Sequence, residues 1–131
     1  IRDNPQAGKI LATTVDYPAI IDFLGCEPEF LKANPKVGTA LVNGYQDALN
    51  FIKSDETEAF TIMGAKVKQS AEQFKKSASF LTWKTKEESK AYFANDILPF
   101  MQETVEILFD TKVIRTKPDN LEAMFDASYV N

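Results

Sequence analysis

The stretch from Phe23 to Ile52, FLGCEPEFLKANPKVGTALVNGYQDALNFI, constrains this chain more than any other part of it. An apolar segment ends at Cys26, and a short helix is expected over Pro28–Ala33. Asn34-Pro35 then restarts the chain. Asn34 can cap a new helix through its side-chain oxygen, and Pro35 suits the first helical position, whose N–H has no partner anyway. From there Val37, Leu41, Tyr45, Ala48, Leu49 and Ile52 fall on one stripe at a period of 3.6. That spacing predicts a long amphipathic helix over residues 35–53. Gly38 and Gly44 interrupt it, at about 1 kcal/mol each relative to Ala. A glycine kept at that cost points to the close approach of a neighbouring element.

More helix starts follow. Asp55 and Glu58 have the spacing of an acceptor followed by an acid, ahead of Ala59, Phe60, Ile62 and Met63. Ser70 with Gln73, and Thr85 with Glu88, fit the reciprocal capping box. Between these two, residues 79–83 (SFLTW) read as a short extended link. Asn95 and Asp96 precede Ile97, Leu98, Met101, Val105, Leu108 and Phe109, a strong helical stripe with Pro99 in its first turn, where proline is tolerated. Residues 113–118 return to loop, and residues 121–125 make one or two turns.

The front of the chain reads differently. Residues 1–8 form a polar lead-in with Pro5 and Gly8. Residues 9–14 (KILATT) and 19–26 (AIIDFLGC) read as two short strands, the second rich in Ile and Phe. Asp16, Tyr17 and Pro18 mark the turn between them. An isolated two-stranded ribbon is marginal. The strands are therefore expected to pair with others, from a part of the protein N-terminal to this chain or from a second copy. The expectation is a predominantly helical α/β architecture, two short strands followed by about five helices, in a single domain or fragment spanning residues 1–131.

Composition excludes several functions. A net charge of -4 argues against a nucleic-acid binder or a polybasic membrane-surface module. The Lys66, Lys68, Lys75 and Lys76 cluster, interrupted by Glu72, reads as a solvated helix face. The 131 residues include no His, which removes the commonest metal ligand and the usual base of a nucleophilic triad. Cys26 is the single cysteine and reads as a buried small hydrophobe. The carboxylate pairs Asp55-Glu56 and Glu87-Glu88 sit at predicted helix starts, where they complement the helix dipole. No phosphate-binding glycine loop or calcium-loop spacing occurs. No apolar run reaches membrane-spanning length. Neither catalysis, nor a metal, nor a cofactor is expected.

The succession of segment, short helix, Asn-Pro and long helix resembles the C-terminal part of bacterial ABC-transporter substrate-binding proteins, in the branch for nitrate, sulfonate, taurine and thiamine-precursor ligands. Glu29-Phe30-Leu31 through Asn34-Pro35 resembles that family's x-F-L-x-x-N-P turn. Asp47 to Ile52, then Asp55 to Ala59, is similar to the next family segment, where one helix closes and another opens. Glu87-Glu88-Ser89, Tyr92-Phe93, Val113-Ile114, Lys117-Pro118-Asp119 and Asp126 to Val130 resemble its closing pattern. The resemblance covers about residue 8 onward. It implies a type II periplasmic-binding-protein fold of two lobes around a cleft, of which this chain would supply the strands near the crossover and the C-terminal helical layer.

The function implied is that of the extracytoplasmic solute-binding component of an importer, periplasmic or extracellular, lipid-anchored in some full-length forms. It would bind a small polar or anionic ligand without chemistry and partner ABC permease subunits. By the same resemblance Thr13, Thr14, Asp16 and Tyr17 lie near the hinge and cleft mouth, where hydroxyls suit an oxyanion or small polar ligand. The alternative reading is that Asp16-Tyr17-Pro18 is simply a turn. The alternative function is a ligand-sensing or helical protein-interaction domain of a signalling protein. A homodimer through residues 9–26 is expected, because their strand edges lack partners.

Overall fold

A computed structural model describes residues 4–16 and 20–131. The chain divides into two units, residues 1–33 and 34–131.

In the first unit, a single 3-10 turn at Pro5–Ala7 is followed by irregular chain. The unit ends in helix α1 (Pro28–Ala33), entered by a hydrogen bond from the Leu31 N–H to the Glu27 carbonyl at 3.1 Å. Lys32 and Glu29 pair across one turn of its exposed surface at 2.6 Å. The two strands expected over residues 9–14 and 19–26 are not formed. Ala19 lies outside the described residues, and the remainder is irregular apart from a turn at residues 14–16. The reason is energetic. A strand satisfies its backbone only through a neighbour, and among the described residues neither segment has one. The α/β part of the expected class is thereby corrected, and the predominantly helical part holds.

The second unit contains α2 (Pro35–Ser54), α3 (Glu56–Lys66), α4 (Ala71–Ala78), α5 (Lys86–Asn95) and α6 (Ile97–Asp110), then 3-10 turns at Glu122–Met124 and Ala127–Val130. The caps follow the sequence closely. Ser70 with Gln73 and Thr85 with Glu88 both form complete capping boxes. Asp55 accepts the Glu58 N–H at 3.1 Å at the start of α3. Asn34 departs from expectation: no side-chain cap bond is made, and its carbonyl accepts the Val37 N–H at 3.0 Å. The Asn34 carbonyl thus takes the N–H that its side chain would have accepted, and Pro35 brings no N–H of its own to the first position.

Two helices end in the same way. After α3, the Gln69 N–H reaches the Gly64 carbonyl at 2.9 Å and the Lys68 N–H reaches that of Ala65 at 3.4 Å. After α6, Val113 reaches Leu108 at 2.9 Å and Lys112 reaches Phe109 at 3.0 Å. These are Schellman motifs, which place one residue in the left-handed region. That residue is usually glycine. Here it is Lys68, at φ 59°, and Lys112, at φ 61°.

The densest packing is α3 against α4. Gly64 makes it possible: a Cβ there would lie 2.8 Å from the Gln69 carbonyl oxygen and 3.3 Å from the Phe74 Cβ. The Phe60 and Phe74 rings meet at 5.5 Å, tilted by 59°, within the range favoured by aromatic quadrupoles. Buried apolar side chains are Leu49 on α2, Ala59 and Phe60 on α3, Ala78 on α4, Ile97 on α6 and Val130 near the C-terminus. On α6 most of the expected stripe packs inward, with Ile97 buried and Leu98, Met101, Val105 and Leu108 half-buried, while Phe109 stays exposed. On α2 the inward line runs through Gly38, Val42, Tyr45, Leu49 and Ile52, while Leu41 stays 41% exposed. Gly38 turned inward explains that rotation, because the ring of Tyr129 lies against it. Gly44 differs, with no atom within 4 Å of the place a Cβ would take.

Candidate functional site

The four residues expected to face a ligand divide three to one. Thr13, Thr14 and Asp16 form a turn in the first unit, and Tyr17 lies outside the described residues. The Asp16 N–H donates to the Thr13 carbonyl at 3.1 Å, closing the turn. The Asp16 carboxylate accepts both the Thr13 N–H, at 2.9 Å, and the Thr13 hydroxyl, at 3.0 Å. The Thr13 hydroxyl oxygen accepts the Val15 N–H at 3.2 Å. Asp and Thr bond nearby backbone in this way because their side chains are short enough to mimic a peptide turn. Thr13 and Asp16 therefore serve the turn first. Thr14 and Asp16 are exposed. The carboxylate also sets the local electrostatics, since a fixed negative charge repels a bare anion and attracts a cationic or donor group.

Other chemistry-bearing groups are engaged locally. Glu56 pairs with Lys75 across α3 and α4. Lys117 pairs with Glu106 at 2.5 Å and lies 4.8 Å above the Phe109 ring. Glu88, held by the Thr85 backbone and then its hydroxyl, has its carboxyl shifted below the ordinary Glu range. Asp126 accepts the Ser128 N–H at 2.9 Å, and its carboxyl is likewise lowered by hydrogen bonds to Ser128. Lys66, Lys68, Lys75 and Lys76 are all exposed, as a solvated face requires. Cys26 is exposed, correcting the expectation of a buried small hydrophobe. The unformed strand explains that difference, since Cys26 closes a segment that packs on no sheet. Among the described residues, no cluster of three or more His, Cys, Asp or Glu could hold a metal ion, and no helix is long and apolar enough to cross a membrane.

Two features had no clear mark in the sequence. The Tyr92 hydroxyl is occluded and meets no hydrogen-bond partner among the described residues. Burial, and then the Asp96 carboxylate, push its pKa up. The second is the seat of Tyr129 on Gly38, where a Cβ would fall 2.7 Å from the ring carbons Cδ1 and Cζ and closer still to Cε1. Glycine on the inner face of α2 was the available signal, but nothing local to position 38 names a residue 91 positions later as its partner.

Comparison of the chain with protein-family models, with curated proteins and with solved structures returns no match.

Proposed function

We propose that the chain is the C-terminal helical part of an extracytoplasmic solute-binding protein of type II periplasmic fold, delivering a small polar ligand to ABC permease subunits. The supporting observation is the succession of α1, Asn34-Pro35, α2 and the Asp55-capped α3. These elements stand where the resemblance implies a short helix, a break, a long helix and a second opening. Thr14, Asp16 and Tyr17 are the proposed ligand contacts, with Thr13 holding the turn that carries Thr14 and Asp16. The Asp16 carboxylate favours a ligand carrying a cationic group beside its anionic one, so an aminosulfonate such as taurine suits this turn better than nitrate. A turn encloses little of a ligand, whereas a formed pocket buries roughly 70–90% of it. Affinity of this chain alone is therefore expected in the millimolar range.

The test is titration with taurine and nitrate, followed by amide chemical shifts. Taurine is expected to perturb residues 13–16, and Asp16→Asn, which keeps an acceptor for the turn, to abolish the effect. Silence at residues 13–16 with either ligand would overturn the assignment.

One observation favours a second reading, a helical protein-interaction module. Large apolar side chains are exposed in both units, among them Leu11, Ile20 and Leu24 in the first and Ile62, Ile107 and Met124 in the second. Apolar surface of this kind marks contact sites when it is contiguous. No effect of any ligand, together with self-association, would favour this reading.

A further inference from the structure

The helices of the second unit pack as two groups. In the first, α2 lies on α3 and α3 on α4; in the second, α5 lies on α6. The chain crosses from one to the other once, through residues 79–85, which carry Trp83, half-buried, between α4 and α5. The C-terminal turn Ala127–Val130 packs on both groups, meeting α5 and α2 alike. Its attachments are distinct on the two sides. Toward α2, the Tyr129 ring lies on Gly38. Toward α5, the Lys86 ammonium donates to the Asn131 carbonyl at 3.3 Å, and just upstream Phe125 meets the Phe93 ring at 5.9 Å. Val130 is buried. The two groups are also linked directly, by a bond from the Lys86 N–H to the Gln46 side-chain oxygen at 3.1 Å.

From this arrangement we infer that residues 125–131 are a releasable clasp, which locks the α2–α3–α4 group to the α5–α6 hairpin and whose departure frees the hairpin to move about the 79–85 link. The geometry separates holding from folding. The contacts inside each helix group, such as Phe60 on Phe74, do not pass through the clasp. The clasp is short and is capped by one exposed carboxylate, that of Asp126. A segment with few buried side chains and an exposed backbone belongs to the low-stability end of a structure, where local opening precedes global unfolding. The Tyr129 ring is half-buried, so its seat on Gly38 opens directly to solvent.

The test is native-state hydrogen exchange on the full chain, with Trp83 emission as an independent reporter of the link. Tyr129→Ala removes the α2 attachment, and Lys86→Met removes the milder α5 attachment without touching the clasp. Amides of α5 and α6 are expected to lose protection roughly three- to tenfold in Tyr129→Ala, the change that losing one half-buried side chain produces. Amides of α3 and α4 are expected to keep theirs, and Trp83 emission to shift. Lys86→Met should give the same pattern at smaller amplitude. An equal loss across all helices in both variants would make these residues ordinary core. Unchanged protection in both would show that the helix groups hold each other unaided. Either result overturns the inference.

Discussion

Replacing each of the two glycines of α2 by alanine tests whether the Tyr129 contact governs this helix. Both substitutions gain the intrinsic preference of alanine, up to about 1 kcal/mol in a helix interior. At Gly44 nothing lies within 4 Å of the new Cβ. Gly44→Ala is therefore expected to stabilise by about 0.4–1 kcal/mol, chiefly by narrowing the unfolded ensemble. At Gly38 the new Cβ meets the Tyr129 ring at 2.7 Å or less, well inside van der Waals contact. The ring cannot rotate clear, because three of its carbons face the same point. It must withdraw by about 1 Å, and the adjacent buried Val130 moves with it. Overpacking of this kind costs about 1–3 kcal/mol. After the full propensity gain, Gly38→Ala should destabilise by up to about 2 kcal/mol. Thermal unfolding by circular dichroism resolves the pair, since each kcal/mol moves the midpoint by roughly 4–8 °C in a domain of this size. In a Tyr129→Ala background the obstruction is gone, and Gly38→Ala should become stabilising. Two shifts of the same sign in the original chain, or an unchanged Gly38→Ala penalty in that background, would refute the reasoning.

Leu49, 6% exposed on α2, should cost about 2–5 kcal/mol when cut to Ala, whereas Lys75→Ala, which loses only an exposed pair with Glu56, should cost under about 1 kcal/mol by urea unfolding. Lys68→Gly should stabilise by about 0.5–1 kcal/mol, because relief of a left-handed conformation exceeds the added chain entropy. Stability should fall at both pH extremes. The lowered carboxyls of Glu88 and Asp126 contribute stability above the unfolded carboxylate range, lost as pH falls through their folded pKa values. The raised Tyr92 phenol contributes stability below its ordinary range, lost as pH rises through the folded value. Tyr92→Phe should flatten the alkaline limb and leave the acid one intact. Leu11, 95% exposed, and Ile20, 76% exposed, lie in the apolar segment over residues 9–26. Self-association through that segment should appear in sedimentation equilibrium and weaken in Leu11→Asp; a monomer at high micromolar concentration would show that it recruits no second copy.

The helices were legible because their signals are local. Ser70-Gln73 and Thr85-Glu88 specify helix starts with residues three apart, and both form as written. The stripe on α6 was readable for the same reason. The segments at residues 9–14 and 19–26 misled because β-rich composition states a preference that only a neighbouring strand can realise. The rotation of α2, which leaves Leu41 outward, was hidden because it depends on Tyr129. The endings of α3 and α6 were hidden differently. The usual glycine signal is absent there, and lysines adopt the left-handed turn under the pull of the hydrogen bonds around them. At the candidate site, Asp16 marked a turn in the sequence, but Thr13 read as the end of a strand, and the bond between their side chains had no mark there.

The seat of Tyr129 on Gly38 also bears on how the unit assembles in time. The α3–α4 and α5–α6 pairs join neighbours in sequence, so little chain must be closed to form them, and they can collapse early. Bringing position 129 to position 38 closes a loop of 91 residues, whose entropic cost is met only after both partners are helical. The C-terminal turn is thus expected to arrive last and to leave first. A nascent chain would hold its helical hairpins, with Gly38 open to water, until residues 125–131 were free to return.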